Sequence, residues 1–99
     1  MAEYKLTKKA TKDLRNIWYY TFDTWSENQA DKYYYMILDS CQEIADGKVK
    51  GKKYAGIYSG LSGIRAGKHI IFYRQITVDR IEIARILHER MDLRRRIRE

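Results

Sequence analysis

The stretch Gly63 to Asp92, GIRAGKHIIFYRQITVDRIEIARILHERMD, decides the fold. Ile64, Arg65 and Ala66 run into Gly67-Lys68, a two-residue link with glycine first, the order that a type II′ hairpin prefers. His69 to Arg74 then returns as an apolar strand. Beyond a linker from Gln75 to Asp79, Arg80 to His88 alternates Ile81, Ile83, Arg85 and Leu87 on one face against Glu82, Ala84, Ile86 and His88 on the other. Three consecutive antiparallel strands are predicted. The last two carry apolar residues on both faces, so both sides of the sheet need a cover.

One cover lies upstream. Tyr4-Lys5-Leu6 alternates and stops at Thr7, a residue suited to cap a helix, which predicts a short strand running into a helix. Ala10, Leu14, Ile17, Trp18, Thr21, Phe22 and Trp25 recur at helical spacing, with Lys8, Lys12, Asp13, Arg15 and Asp23 mostly off that stripe. Ser26-Glu27-Asn28-Gln29 has the form of a capping box. A second helix begins there, with a core stripe of Ala30, Tyr33 or Tyr34, Ile37, Leu38, Cys41, Ile44 and Ala45, and Gly47 is placed to end it. So short a break forces the two helices into a hairpin or a sharply bent pair. Tyr33, Tyr34 and Tyr35 spread through about 200° around the helix axis. Two are expected to pack and one to lie wet, or the surplus aromatic area serves a partner groove.

Residues 46–63, DGKVKGKKYAGIYSGLSG, read as a solvated loop held to the core by Tyr54, Ile57, Tyr58 and Leu61. Its glycines and lysines do not have P-loop spacing. After His88, the run ERMDLRRRIRE either frays or forms a short helix capped by Asp92, with Met91 or Leu93 and Ile97 inward and Arg94, Arg95, Arg96 and Arg98 outward.

The overall class is α+β: an N-terminal strand and helical hairpin packed on a small antiparallel sheet, with a short C-terminal helix or tail, in one domain spanning 1–99. Ninety-nine residues, 44% hydrophobic and 33% charged, suit one core of ordinary size. One cysteine, Cys41, cannot close an internal disulfide, and no apolar run approaches the roughly 20 residues a bilayer requires. The N-terminal lysines precede no apolar stretch of signal-peptide type, so a cytoplasmic location is expected. No cofactor or metal is expected. The net charge of +7 is unevenly placed. Residues 1–46 hold six Lys/Arg against eight Asp/Glu, net −2, while residues 47–99 hold fourteen against five, net +9. Such a field attracts nucleic acid or an acidic protein surface, and charge alone does not choose between them.

The segments GxRxGxHxIFYR and IxRxLHxRMD, set in the order strand, helix hairpin and three strands, resemble the ParE branch of the RelE/ParE toxin superfamily. The similarity extends from YKLTKKATKDL to the Met91-Asp92 pair, and departs in the loop before the hairpin, where relatives often carry proline and this chain has none. The resemblance implies a type II toxin that binds and inhibits DNA gyrase, is neutralised by a ParD-like antitoxin, and meets nucleic acid only through the gyrase–DNA complex. Arg65, Arg85, His88, Arg90, Arg94, Arg95, Arg96 and Arg98 are then the expected target contacts. Trp18, Phe22, Tyr34, Tyr35 and Tyr73 are the expected antitoxin contacts.

The RelE-type alternative, ribosome-dependent cleavage of messenger RNA, needs a base, a cation at the scissile phosphate and an acid for the leaving oxygen. Arg65, Arg85 and His88 would have to provide them, with Lys52 and Lys53 imitating the lysines of nuclease relatives. Those relatives carry a tyrosine near the C-terminus, whereas Tyr73 is the last tyrosine of this sequence. An inactive antitoxin-binding module is the remaining alternative.

Overall fold

The computed structural model describes residues 2–54 and 60–98. Strand β1 (Glu3–Leu6) leads through Thr7 into α1 (Lys8–Thr24), and α2 (Glu27–Ala45) folds back along it. The chain continues through β2 (Lys52–Lys53), β3 (Ser62–Ala66), β4 (His69–Thr77) and β5 (Arg80–His88) to a short α3 (Leu93–Arg98). The sheet order is β1-β5-β4-β3-β2, so the longest strands lie inside and the shortest at the edges.

The helix ends follow their local chemistry. The Thr7 hydroxyl accepts the Ala10 N–H at 3.0 Å, and the Ser26 hydroxyl accepts the Gln29 N–H at 3.1 Å. At the end of α2, Gly47 has φ +74°, its N–H donates to Ile44 O, and the Lys48 N–H donates to Glu43 O. This is the paired closure of a Schellman motif, and only glycine adopts that φ without strain.

Two apolar clusters sandwich the sheet. On the helical side Ala10, Leu14, Ile17, Ile37, Cys41 and Ile44 meet Ile71, Tyr73, Ile81, Ile83 and Ile86. On the opposite side Phe72, Leu61 and Leu87 are buried beneath Tyr54, Ile70, Leu93 and Ile97, so the tail helix and the end of the loop form the second cover. Tyr54 and Leu61 thus pin the loop as expected; Ile57 and Tyr58, expected to join them, lie outside the described residues. Cys41 is fully buried, and removal from water pushes its thiol up to about 12.

Several expectations are corrected. The sheet is mixed, because β1 runs parallel to β5, pairing Glu3 to Leu6 with Arg80 to Ile83. A strand followed by a helical excursion before it pairs is free to run parallel, unlike two strands joined by a tight turn. The loop contains an edge strand, with Lys52 opposite Gly63 and Lys53 opposite Ser62. The linker from Gln75 to Asp79 shrinks to Val78-Asp79, because β4 continues to Thr77. Most consequential is a bulge in β5. Tyr73 pairs with Ile83 and Phe72 with Arg85, leaving Ala84 as an extra residue. The alternation therefore reverses at Ala84: Ile81, Ile83 and Ile86 face the helices, and Leu87 faces the tail. In α1, burial ends at Ile17, so Phe22 and Trp25 lie on the stripe yet remain exposed.

The β3–β4 turn forms as expected, with Gly67 at φ +62° and no positive φ at Lys68. A Cβ at Gly67 would stand 2.7 Å from the Tyr33 hydroxyl. Gly67→Ala is therefore expected to lower the unfolding free energy by more than about 1 kcal/mol. Lys68→Ala beside it should stay within about 0.5 kcal/mol, as measured by urea denaturation.

Candidate functional site

Two surfaces share helix α1. One is a cleft of about 720 Å³ between α1, the ends of β4 and β5, and the start of the tail. Lys9, Lys12, Asn16 and Tyr20 line it from the helix, His69, Arg85, Ile86 and His88 from the strands, and Arg90, Met91 and Arg96 from the tail. Its carboxylate, Asp13, is consumed internally. It accepts from Arg85 Nε at 2.7 Å, Arg85 Nη2 at 2.9 Å and the Ile86 N–H at 3.0 Å. With that acid neutralised, the cleft presents a cationic rim over an apolar floor.

Two histidines meet in this cleft, their ring centroids 5.2 Å apart. Tyr33 lies 2.6 Å from His69 Nδ1 and 3.5 Å from Ala66 O, and its oxygen accepts the Lys68 N–H at 2.9 Å. The hydroxyl donates to Nδ1 when neutral His69 carries its proton on Nε2, and donates to Ala66 O while accepting from Nδ1 in the other tautomer. Burial keeps the Tyr33 hydroxyl protonated by raising its pKa above the usual value. Burial, reinforced by His88, drives His69 down to about 4, against an opposing pull from Glu89 and Asp13. His88 Nδ1 accepts the Arg90 N–H at 3.1 Å, fixing the turn after β5.

The second surface is an aromatic groove of about 420 Å³ between α1 and α2, lined by Leu14, Arg15, Trp18, Tyr19, Tyr34 and Tyr35 among others. Trp18 stacks on Phe22 with centroids 5.3 Å apart and donates from Nε1 to Asp31 at 3.0 Å. Tyr34 and Tyr35 meet edge to face. Tyr35, Tyr19 and Trp25 are exposed by more than half of their surface. The three consecutive tyrosines divide as expected, with Tyr33 and Tyr34 half-buried and Tyr35 wet.

Of the residues expected at a target surface, Arg85, His88, Arg90 and Arg96 come together in the cleft. Arg65 lies outside it, bound to Glu89 at 2.7 Å and to Gly67 O at 3.1 Å. Arg94, Arg95 and Arg98 are exposed on α3. Of the residues expected at an antitoxin surface, Trp18, Tyr34 and Tyr35 line the groove and Phe22 stacks beside it. Tyr73 is a correction. It is 8% exposed within the helical-side cluster, and its hydroxyl accepts the Gly51 N–H at 2.8 Å, so no partner reaches it without unpacking the core. The sequence reading missed Lys9, Lys12, Asn16, Tyr20 and His69 in the cleft and the part played by Asp13. Asp13 looks like any solvated acid off the apolar stripe; its three donors come from a strand seventy residues away.

The α+β domain thus places a basic cleft on one side of α1 and an aromatic groove on the other. Residues 4–93 match the family model described as the ParE toxin of the type II toxin-antitoxin system, parDE. Toxin ParE1 of Mycobacterium tuberculosis is 31% identical over 96 residues, covering 97% of this chain and 98% of its own. Toxin ParE1 of Caulobacter vibrioides is 33% identical over 94 residues, with 95% and 96% covered. Toxin ParE of Escherichia coli is 31% identical over 97 residues, with 98% and 94% covered. The fold matches a chain of the chromosomal ParDE system from P. aeruginosa with a TM-score of 0.74 at 19% identity, covering 89% of this chain and 96% of that one. This chain belongs to the ParE toxin family of type II toxin-antitoxin systems. Among the described residues, no helix is long and apolar enough to cross a membrane.

The depressed His69 has a consequence for stability. Its folded pKa of about 4 lies below the ordinary histidine value of 6.5, so the unfolded chain binds the proton more readily. The contribution is present above pH 6.5 and is lost as pH falls toward 4. The expected result is a His69 NMR titration midpoint near 4, and a loss of stability between those pH values that is smaller in His69→Gln.

Proposed function

We propose that this chain inhibits DNA gyrase by binding it, without chemistry of its own, and that a ParD-like antitoxin in the same cytoplasm neutralises it. The observation that carries this reading is the near full-length match to ParE toxins. The cationic cleft and the α3 arginines supply a surface suited to carboxylate or phosphate on a gyrase–DNA complex, because guanidinium pairs with both in a forked geometry. The aromatic groove is the expected antitoxin seat. An amphipathic segment would bury Tyr35 and Phe22 there and gain the apolar contact that solvent now holds open.

The geometry also weighs against RNA cleavage. Arg65, Arg85 and His88 do not converge on a single point where a phosphate would sit. Arg65 is outside the cleft, Arg85 is engaged by Asp13, and one His88 ring nitrogen is occupied by the backbone of Arg90. A nuclease needs these groups available to the reacting atoms.

Purified gyrase should lose supercoiling activity and accumulate cleaved DNA in the presence of the protein. Normal supercoiling at excess protein would defeat the proposal, and messenger RNA loss in cell-free translation would favour the nuclease instead. For the antitoxin seat, Trp18→Ala and Tyr35→Ala are each expected to weaken antitoxin binding by about tenfold or more in calorimetric titration. Gyrase inhibition by the free toxin should be retained in both.

A further inference from the structure

The Arg85 guanidinium joins three elements. It reaches Asp13 on α1 through Nε and Nη2 at 2.7 and 2.9 Å, and its Nη1 donates to the backbone oxygen of Arg96 on α3. The side chains of Arg85 and Asp13 are 12% and 13% exposed, whereas the Arg65–Glu89 pair leaves Arg65 67% exposed. A pair so shielded is held far more firmly than a surface one, and a forked cation so engaged has little left to offer a target.

Helix α3 depends on this contact more than a longer helix would. It spans only Leu93–Arg98, too short to be stable alone, and its apolar anchors are Leu93 and Ile97. Asp92 caps it weakly, accepting the Arg95 N–H at 3.3 Å. The bond from Arg85 reaches the last turn, beyond the cap, and comes from the same side chain that locks α1 to β5. The orientation of the tail arginines relative to Lys9 and Lys12 is therefore set by Arg85 together with the Leu93 and Ile97 anchors.

We propose that Arg85 is a positioning residue: clasped by Asp13, it holds α3 so that the tail arginines and the cleft form one continuous cationic surface, and it does not itself touch the target. The clasp rests on the geometry above; its effect on inhibition rests on the gyrase reading.

Arg85→Lys separates these roles. A lysine keeps a positive charge opposite Asp13, but a single ammonium on a different stem cannot reproduce the fork to Asp13 and also reach Arg96. Asp13→Asn is the companion variant, since it keeps the size and the acceptor for Ile86 while removing the charge. The expected result for Arg85→Lys is a wild-type circular dichroism spectrum with a melting temperature lowered by several degrees. Tryptic cleavage after Arg94, Arg95 and Arg96 should be accelerated by about tenfold relative to cleavage elsewhere in the chain, the scale of one lost charge-assisted hydrogen bond. The half-inhibitory concentration toward gyrase should rise by a similar factor, with antitoxin affinity unchanged. Asp13→Asn should shift cleavage and inhibition in the same direction. A tail cleaved as slowly as in the wild type would overturn the clasp. A tail released with gyrase inhibition unaltered would overturn the positioning role. If the wild type itself fails to inhibit gyrase, the gyrase reading fails, and the cleavage rates alone decide whether the clasp exists.

Discussion

The fold depends on how the open edge of β5 is closed. Strand β1 reaches only as far as Ile83, while β5 continues to His88, which leaves backbone groups on its outer edge with no strand beside them. An unpaired backbone group removed from water costs about as much as a lost hydrogen bond, so partners must come from elsewhere. Helix α1 provides them. The Thr7 N–H donates to Ile83 O, the Thr7 hydroxyl donates to Ala84 O while accepting from Ala10, and Asp13 accepts from the Ile86 N–H. Thr7 and the first two turns of α1 thereby continue β1 with one backbone N–H and two side chains, and the helix has one position along the sheet.

That constraint reaches both functional surfaces. Once α1 is fixed, Lys9, Lys12, Asn16 and Tyr20 border the cleft, while Arg15, Trp18 and Tyr19 border the groove on its other flank. The bulge at Ala84 contributes from the strand. It lets Ile86 join Ile81 and Ile83 under the helices while Leu87 turns to the tail. Without the extra residue, the apolar side chains at one end of β5 would face the wrong layer.

Much of this was legible because the signals are local. The Thr7 and Ser26 caps, the Gly47 stop, the Gly67 turn and the Asp92 start of α3 each follow from a few adjacent residues. The bulge was not legible, because Ala84 is small and the residues around it still read as unbroken alternation. Nor was the direction of β1, which depends on a pairing almost eighty residues away. The site was legible in part. Arginine and aromatic content identified the residue types, but not that the Tyr73 hydroxyl is taken up by Gly51 or that Asp13 and Arg85 compensate each other inside the cleft. Each of those depends on a contact between distant segments, which composition and periodicity do not encode.

Cys41 is the chain's one thiol, and it sits at the heart of the helical-side cluster, fully shielded and held in its unreactive protonated form. A thiol-specific reagent meets it only when α2 parts from the sheet. The rate of labelling is therefore a clock for the opening of the core, independent of any activity. Because the groove is built from α1 and α2 above that same core, a partner that clamps the two helices together would slow this clock, and one that engages only the cleft and tail would leave it running.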